Sequence, residues 1–368
     1  TAGSYSSVPG TTLGETLKEY NKIQIPDINL KEVINGNLSV ENINFGNAAT
    51  INWEAGNAAE DVIYTILIGE TASNTNALSW QQSDYLAVGN YDVEISARND
   101  FGVSASSTAH FVVNQNSLIA KITPESFIDS KVKLKPTIEI VFDHAICDSM
   151  KSYMEENIYV TSAPFAEPLD TAEKTWLDTS SPTMRIEFSK YLTPLASHRV
   201  VLNSDALTEL TELGMNINGL TGGILEFETI LWEGSGTESD PYKVACAKHL
   251  DYIREYLNAC YLQVDDIDLA LSSYQSDNYT AAEGWLGIGN YDYENEEPFK
   301  GKYDGNGYVI NNLTIIRPGE GYVGLFAYTE DAQLKNICLT NASVNGGEYV
   351  SGIIAYAKTT SITDNVTR

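Results

Sequence analysis

Hydrophobic and polar residues follow one another along most of this chain with the short period of strands. Val62-Ile63-Tyr64-Thr65-Ile66-Leu67-Ile68, Tyr91-Asp92-Val93-Glu94-Ile95-Ser96 and Ile138-Glu139-Ile140-Val141-Phe142 alternate or are β-branched, so each predicts a strand with one buried face. Turn residues interrupt these runs roughly every 8–12 positions, the rhythm of all-β sandwiches. A helical period surfaces in two places. Leu13, Leu17 and Tyr20 share a face over 11–21, before Pro26. Leu250, Ile253 and Leu257 predict one short helix over about 245–258.

The runs group into segments. Residues 1–37 read as a small, polar lead-in with the first short helix, and 38–114 as a sandwich. In the latter, Ala49-Thr50-Ile51-Asn52-Trp53 supplies a strand with a core Trp. Leu86, Gly89, Tyr91, Ala97, Asn99 and Gly102 resemble the corner and following strand of the fibronectin type III and immunoglobulin-like family. There a Tyr hydroxyl bonds back to loop backbone, a structural role. Val88 stands where that family usually has Pro. Residues 117–230 run Ile122-Thr123-Pro124, Ile138 to Phe142, Ile158-Tyr159-Val160, Met184 to Phe188, Leu192 to Leu202 and Leu225 to Thr229. This order is similar to the bacterial Ig-like domain of surface-layer and other exported proteins, with Arg199 at the family's Tyr. The resemblance implies a spacer.

Residues 231–368 have another pattern. Gly324-Leu325-Phe326-Ala327-Tyr328 returns as Gly352-Ile353-Ile354-Ala355-Tyr356, a step of 28 residues, and Gln333 to Asn336 returns as Ser361 to Asp364 at the same step. A short apolar core with Gly/Asn corners at this period predicts coils of a parallel β-helix, each burying little without a stacked neighbour. Asn336 and Asp364 fall at matching corners, where left-handed backbone or stacked amides are useful. The second coil reaches Arg368 without a polar cap, so the expectation is that the chain continues or another molecule covers this edge. Trp232-Glu233-Gly234-Ser235-Gly236-Thr237, Asp265-Asp266-Ile267-Asp268-Leu269, Trp285-Leu286-Gly287-Ile288-Gly289 and Phe299 to Gly307 precede the repeats. Together they resemble the GLUG-repeat family of bacterial surface proteins. The resemblance implies a right-handed parallel β-helix after two tandem Ig-like sandwiches, an all-β fold.

Charge narrows the partners. Against 50 Asp+Glu there are 22 Lys+Arg, a net charge of −28. Phosphate neutralisation needs cations, so nucleic acid and anionic membrane surfaces are disfavoured. No apolar run approaches the ~18 residues of a membrane span. Cys147, Cys246, Cys260 and Cys338 form no C-x-x-C or zinc spacing. They read as four free thiols, with a Cys246–Cys260 bridge as the alternative. Sequons occur at Asn37, Asn278, Asn312, Asn341 and Asn365.

Motifs of catalysis are missing. His110, His144, His198 and His249 are scattered, without H-E-x-x-H, and neither G-x-S-x-G nor a P-loop occurs. Gly284 to Gly289 resembles a nucleotide loop only in glycine spacing. Asp265, Asp266 and Asp268 have the look of an acid cluster, but a strand would put only Asp266 and Asp268 on one face, and a framework role is favoured. Asp304-Gly305-Asn306-Gly307 reads as a tight turn. One loop remains as a candidate ligand site. Asp292, Glu294, Glu296 and Glu297, interleaved with Tyr291 and Tyr293, offer carboxylates to Ca²⁺ or a basic partner and rings to a sugar, although the spacing is not that of an EF-hand. A solvated loop is the plainer reading.

The expectation is therefore a non-enzymatic, exported bacterial protein of the cell surface or extracellular space. It would be a stalk presenting a repeat surface to a protein or glycan ligand, without a cofactor other than Ca²⁺ in that loop. A self-assembling surface-layer or fibre subunit, with copies of itself as partner, is the second expectation. The third is an accessory, non-catalytic region of a secreted metallopeptidase or glycan-cleaving enzyme.

Overall fold

The computed structural model describes residues 38–54, 62–98, 104–123, 131–177, 182–291 and 294–367. The lead-in 1–37 with its expected helix, Asn99, Gly102, Pro124, Asp292 and Tyr293 lie outside them. The described chain is mostly β-strand, with three short α-helices. Two compact units form: Thr1–Leu118 with Phe142–Met154 and Thr208–Asn216, and Ile119–Val141 with Glu155–Leu207 and Ile217–Arg368.

In the first unit, five strands lie in the order Ile43–Asn44, Ser104–Asn114, Gly89–Arg98, Ile63–Ile68, Thr71–Thr75, and three in the order Ser39–Val40, Thr50–Asn52, Ser79–Gln81. Alternation sets the faces. Tyr64, Ile66 and Ile68 are buried on one strand and Val93, Ile95 and Ala97 on its neighbour, held by the antiparallel pairs Ile66↔Ile95 and Ile68↔Val93. The expected core Trp is there: Trp53 is buried with its ring 5.2 Å from that of Tyr64. The hydroxyl of Tyr91 donates to Ala87 O at 3.0 Å, the corner bond expected from the sequence.

The second unit begins with antiparallel strands too. Ala172–Leu177, Thr183–Phe188 and Ile138–Phe142 neighbour one another in that order, and so do Ile158–Ser162, Ser197–Leu202 and Ile224–Glu228. Two helices within 117–230 correct the sequence reading, which predicts helices over 11–21 and about 245–258 alone. These are Asp148–Asn157 and Ser204–Glu212. Each buries a single i, i+4 pair, Met150 with Met154 and Ala206 with Leu210. So narrow a stripe is easily lost among strand patterns. Asn203 starts the second helix, its Oδ1 accepting from Asp205 N at 2.8 Å. The helix expected over about 245–258 is shorter: Ala247–Tyr252 is α and Ile253–Tyr256 tightens into a 3₁₀ turn.

From residue 242 the pairing turns mainly parallel, with Gly284–Trp285 an exception that pairs antiparallel with Tyr279–Thr280 and Thr314–Val323. Tyr242–Val244, Cys260–Gln263, Lys302–Asp304, Gln333–Lys335 and Ser361–Thr363 form one ladder, and Ile267–Asp268, Val309–Asn311, Cys338–Thr340 and Val366–Thr367 a second. Thr314–Val323 pairs with Ser343–Val350, and Phe326–Glu330 with Ile354–Lys358, again parallel. The repeat seen in the sequence is the register of these ladders: Phe326↔Ile354, Tyr328↔Tyr356 and Gln333↔Ser361 are each 28 residues apart. Inward residues of successive strands stack into columns that build the core, such as Tyr261, Tyr303, Leu334. Corners take left-handed backbone at matched positions, Asn336 (φ 55°) with Asp364 (φ 54°) and Asn312 (φ 62°) with Asn341 (φ 51°). Asn tolerates this region better than most residues.

Candidate functional site

A cavity of about 410 Å³ opens in the second unit beside Trp285. Two arginines form its floor. Arg254, on the 3₁₀ turn, donates Nε to Asp251 Oδ1 at 2.9 Å, Nη1 to Gly287 O at 2.8 Å and Nη2 to Leu286 O. Its guanidinium carbon lies 4.6 Å from the centroid of the buried Trp285 ring. Arg317 donates Nε to Trp285 O at 3.2 Å and Nη1 to Glu320 Oε1 at 3.0 Å, and its Nη2 lies 3.2 Å from Glu283 Oε2. Both side chains are nearly buried, at 13% and 8% exposure, which is tolerable because each charge has a carboxylate and a carbonyl.

The local backbone leaves little freedom. A Cβ on Gly287 would lie 2.6 Å from that of Ala327, and one on Gly289 (φ +79°) 2.2 Å from Tyr328 O. The two glycines therefore let the turn press against the next strand. Glu320 reaches the cavity through an irregularity in the ladder, since register shifts between Arg317 and Gly321 at Pro318-Gly319-Glu320.

Tyr291 and Tyr322 line the other wall, backed by further tyrosines. Tyr291 stands 4.4 Å from Tyr322, 5.2 Å from Tyr328 and 5.3 Å from Tyr356, centroid to centroid. Tyr322 stacks on Tyr349 at 4.8 Å with planes 2° apart, and Tyr328 lies 5.3 Å from Tyr356. Tyr322 with Tyr349 and Tyr328 with Tyr356 are ladder neighbours, so the repeat lays down an aromatic row that Tyr291 joins from its loop. Tyr322 and Tyr349 both have left-handed backbone, φ 60° and 51°, a costly conformation for bulky residues.

The acidic loop sits at the rim. Glu297 pairs through its backbone with Asn290, at 2.8 and 3.0 Å, and lines the cavity. Glu296 Oε2 accepts from Tyr328 OH at 3.4 Å. Glu294 is exposed, and Asp292 lies outside the described residues. Among the described residues, no group of three or more His, Cys, Asp or Glu side chains converges as a metal site.

The other sequence candidates are framework. Asp266 Oδ1 accepts from Val309 N at 2.8 Å. Asp268 accepts from Asn312 Nδ2 at 2.8 Å and Ala270 N at 2.9 Å, bonds that hold its pKa below the usual carboxylate value. Asp304 Oδ1 accepts from Asn336 Nδ2 at 2.8 Å. All four cysteines are free thiols, so the Cys246–Cys260 bridge is not formed. Cys246 Sγ lies 3.6 Å from His249 Nδ1, yet burial pushes the thiol up to about 11 and the imidazole down to about 4. At neutral pH both are uncharged, the opposite of an activated pair. His249 is a packing residue: Nδ1 accepts from Ala245 N at 3.0 Å, Nε2 donates to Leu231 O at 2.8 Å, and its ring stacks 4.9 Å from Trp232. Among the sequons, Asn278, Asn312, Asn341 and Asn365 each spend their Nδ2 inside the fold, on Asp251, Asp268, Asn311 and Leu334 O.

Sequence reasoning singled out Tyr291, Glu296 and Glu297 but not Arg254, Arg317 or Tyr322. One signal was available. In a chain with only 22 Lys+Arg, Arg254 and Arg317 each lie three residues from a carboxylate partner, Asp251 and Glu320.

No family model matches the chain. Over 131 residues it is 36% identical to Halomucin of Haloquadratum walsbyi, which covers 34% of this chain and 1% of that protein. Over 135 residues it is 35% identical to a Gly-rich membrane protein of Evansella cellulosilytica, covering 36% of this chain and 14% of that one. The match thus spans a small part of each of these curated relatives. Among solved structures, the Bacteroides ovatus SGBP-B of a mixed-linkage glucan utilization locus, in complex with a mixed-linkage heptasaccharide, aligns at 15% identity over 46% of this chain and 40% of that one, with a TM-score of 0.19. Dpr2 Ig1-Ig2 in complex with DIP-Theta Ig1-Ig3 aligns at 14% identity over 46% and 58%, with a TM-score of 0.15. Structural likeness at these scores carries no argument here. Among the described residues, no helix is long and apolar enough to cross a membrane.

Proposed function

We propose that this is a non-catalytic bacterial protein of the cell surface or extracellular space, a stalk that presents a repeating surface to a protein or glycan ligand. In this reading 38–114 is a fibronectin- or Ig-like sandwich and 117–230 a bacterial Ig-like sandwich. Residues 231–368 are coils of a GLUG-type right-handed parallel β-helix.

The observation that carries the reading is the in-register stacking of the repeat, which sets like side chains on neighbouring strands, as where Tyr322 stacks on Tyr349, itself 56% exposed. Repeated weak contacts on such a surface add through effective concentration. The names of the two relatives, Halomucin and a Gly-rich membrane protein, support placement at the surface or outside the cell. Support for a non-catalytic role comes from the chemistry: Asp266 and Asp268 are occupied by backbone and amide donors, and the Cys246–His249 pair is neutral in both members.

The test is protease treatment of intact source cells. Fragments of this chain should be released before any cytosolic marker. A chain that stays protected until the cells are lysed would overturn the reading.

A further inference from the structure

The geometry points to the cavity beside Trp285 as a binding subsite for a neutral sugar unit, held between the Tyr291–Tyr322 rings and the Arg317–Glu320 pair. This deepens the proposed function and rests on it, since it names the ligand class of the repeat surface.

Size and chemistry fit. A volume of about 410 Å³ lies within the range of small-ligand sites. A pyranose presents apolar C–H faces and a rim of hydroxyls. It therefore asks for an aromatic wall on one side and fixed donors and acceptors on the other. Tyr291 and Tyr322 supply the wall. Glu297, Glu320 and the two guanidinium groups supply the polar side.

Electrostatics choose the charge class. The guanidinium groups are not open anion receptors. Arg254 is already paired with Asp251, and Arg317 with Glu283 and Glu320. Glu297 stands beside them, and the whole chain carries −28. A phosphate, uronate or sialate would meet carboxylates and a repelling field, whereas a neutral glycan meets none of that penalty.

The site is also rigid before any ligand arrives. Trp285 donates Nε1 to Leu325 O at 3.1 Å, lies under Arg254, and gives its carbonyl to Arg317. Gly287 and Gly289 are locked against the neighbouring strand. Tyr322 is held at φ 60° although its residue type disfavours it. Its ladder partner Tyr349 has the same left-handed backbone, φ 51°, so the repeat itself fixes where the Tyr322 ring stands. Preorganisation of this kind lowers the entropy lost on binding.

The test is calorimetry on the whole purified chain with four neutral probes (cellotetraose, maltotetraose, laminaritetraose and mannotetraose) and one acidic probe, tetragalacturonate. At least one neutral probe should bind, and tetragalacturonate should bind more weakly than that probe or not at all. Tyr322→Gly removes the ring while suiting the positive φ, so the fold should persist by circular dichroism with affinity about tenfold weaker or worse. Glu320→Gln uncovers part of the Arg317 charge and should raise tetragalacturonate affinity relative to the neutral probe. Failure of all four neutral probes, an unchanged affinity in Tyr322→Gly, or a preference of the native chain for tetragalacturonate each overturns the proposal. Surface exposure without sugar binding would sink this inference alone, while sugar binding by a chain confined inside the cell would sink the proposed function instead.

Discussion

The mainly antiparallel sheets of the first unit and the mainly parallel ladders after residue 242 bury cores by different rules. In the sheets, each strand alternates inward and outward, and partners such as Val93 and Ala109 are joined by a short connection. In the ladders, inward residues pair with a residue a whole step along the chain, 28 positions for Leu334↔Ile362, 31 for Tyr303↔Leu334 and 42 for Tyr261↔Tyr303. Burial then depends on having a neighbour above and below. Along one column Tyr303 and Leu334 are each 1% exposed, while Ile362 is 48% exposed. A sheet residue such as Ile66 or Ile95 is buried on the inward face of its own antiparallel pair. A ladder residue is buried by the copies of itself.

The largest break in that comparison should come at Trp285. Its ring is fully buried, packs edge-on against Tyr279 and lies under Arg254. Trp285→Ala removes a large core side chain and leaves two polar networks without their spacer, so it should cost about 3–5 kcal/mol. Urea denaturation followed by far-UV circular dichroism would measure it. A matched truncation at Ile362 should cost less than about 1 kcal/mol, because little is covered there. Equal losses at Trp285 and Ile362 would contradict burial by stacking.

The next effect is set by pH. His249 is held neutral, with Nδ1 accepting from Ala245 N and Nε2 donating to Leu231 O. Burial lowers its pKa from 6.5 to about 4. The unfolded chain therefore takes up a proton at a higher pH than the folded one. The stabilisation is complete above about pH 6.5 and is lost as pH falls toward 4. Its size is on the order of 3 kcal/mol. Asp251 extends the decline. Burial works to raise its pKa, but hydrogen bonds from Ser276 and Arg254 and the Arg254 charge prevail and lower it, so its contribution is lost as pH drops through the carboxylate range. Unfolding midpoints between pH 7 and pH 4 should fall in the native chain and fall less in His249→Gln.

How much of this was legible in the sequence follows from the two rules. Sandwich strands announce themselves by period two, and the Tyr91 corner has a local signature, so both could be read. The step of 28 was legible only where the repeat is clean, from Gly324 onward. Upstream, insertions blur it: Tyr303 pairs with Leu334 at 31 residues and Ile310 with Leu339 at 29. The cavity lies among those insertions. Its arginines sit on a 3₁₀ turn and in a strand irregularity, neither of which has a period. The acidic loop was visible as composition, but composition does not say that its Tyr291 meets rings some 30 to 65 residues further on.

A third test isolates the ladder corners. Asn336 combines a left-handed backbone with a bond from Nδ2 to Asp304 Oδ1 at 2.8 Å. Asn336→Ala loses the bond and strains the backbone, and should cost about 1–2 kcal/mol. Asn336→Gly loses the bond alone and should cost less. If Ala and Gly destabilise equally, the φ of the corner contributes nothing and the side-chain bond is the whole effect.

The smallest effect belongs to the sandwich counterpart of that corner. Tyr91 keeps ordinary strand backbone and pins its turn with a single hydroxyl bond to Ala87 O at 3.0 Å, while its ring stacks on Phe111 at 5.6 Å. Tyr91→Phe keeps the ring and deletes the bond. Because Ala87 O is exposed enough for water to replace the donor, the cost should be about 0.5–1.5 kcal/mol, near the lower end. The measurement is the urea midpoint of the variant against that of Asn336→Ala under the same conditions. A corner held by one replaceable bond and a corner held by backbone geometry should then separate. Should Tyr91→Phe prove the more damaging, the sandwich turn would be the more strained of the two, and the ladders would owe their regularity to column packing alone.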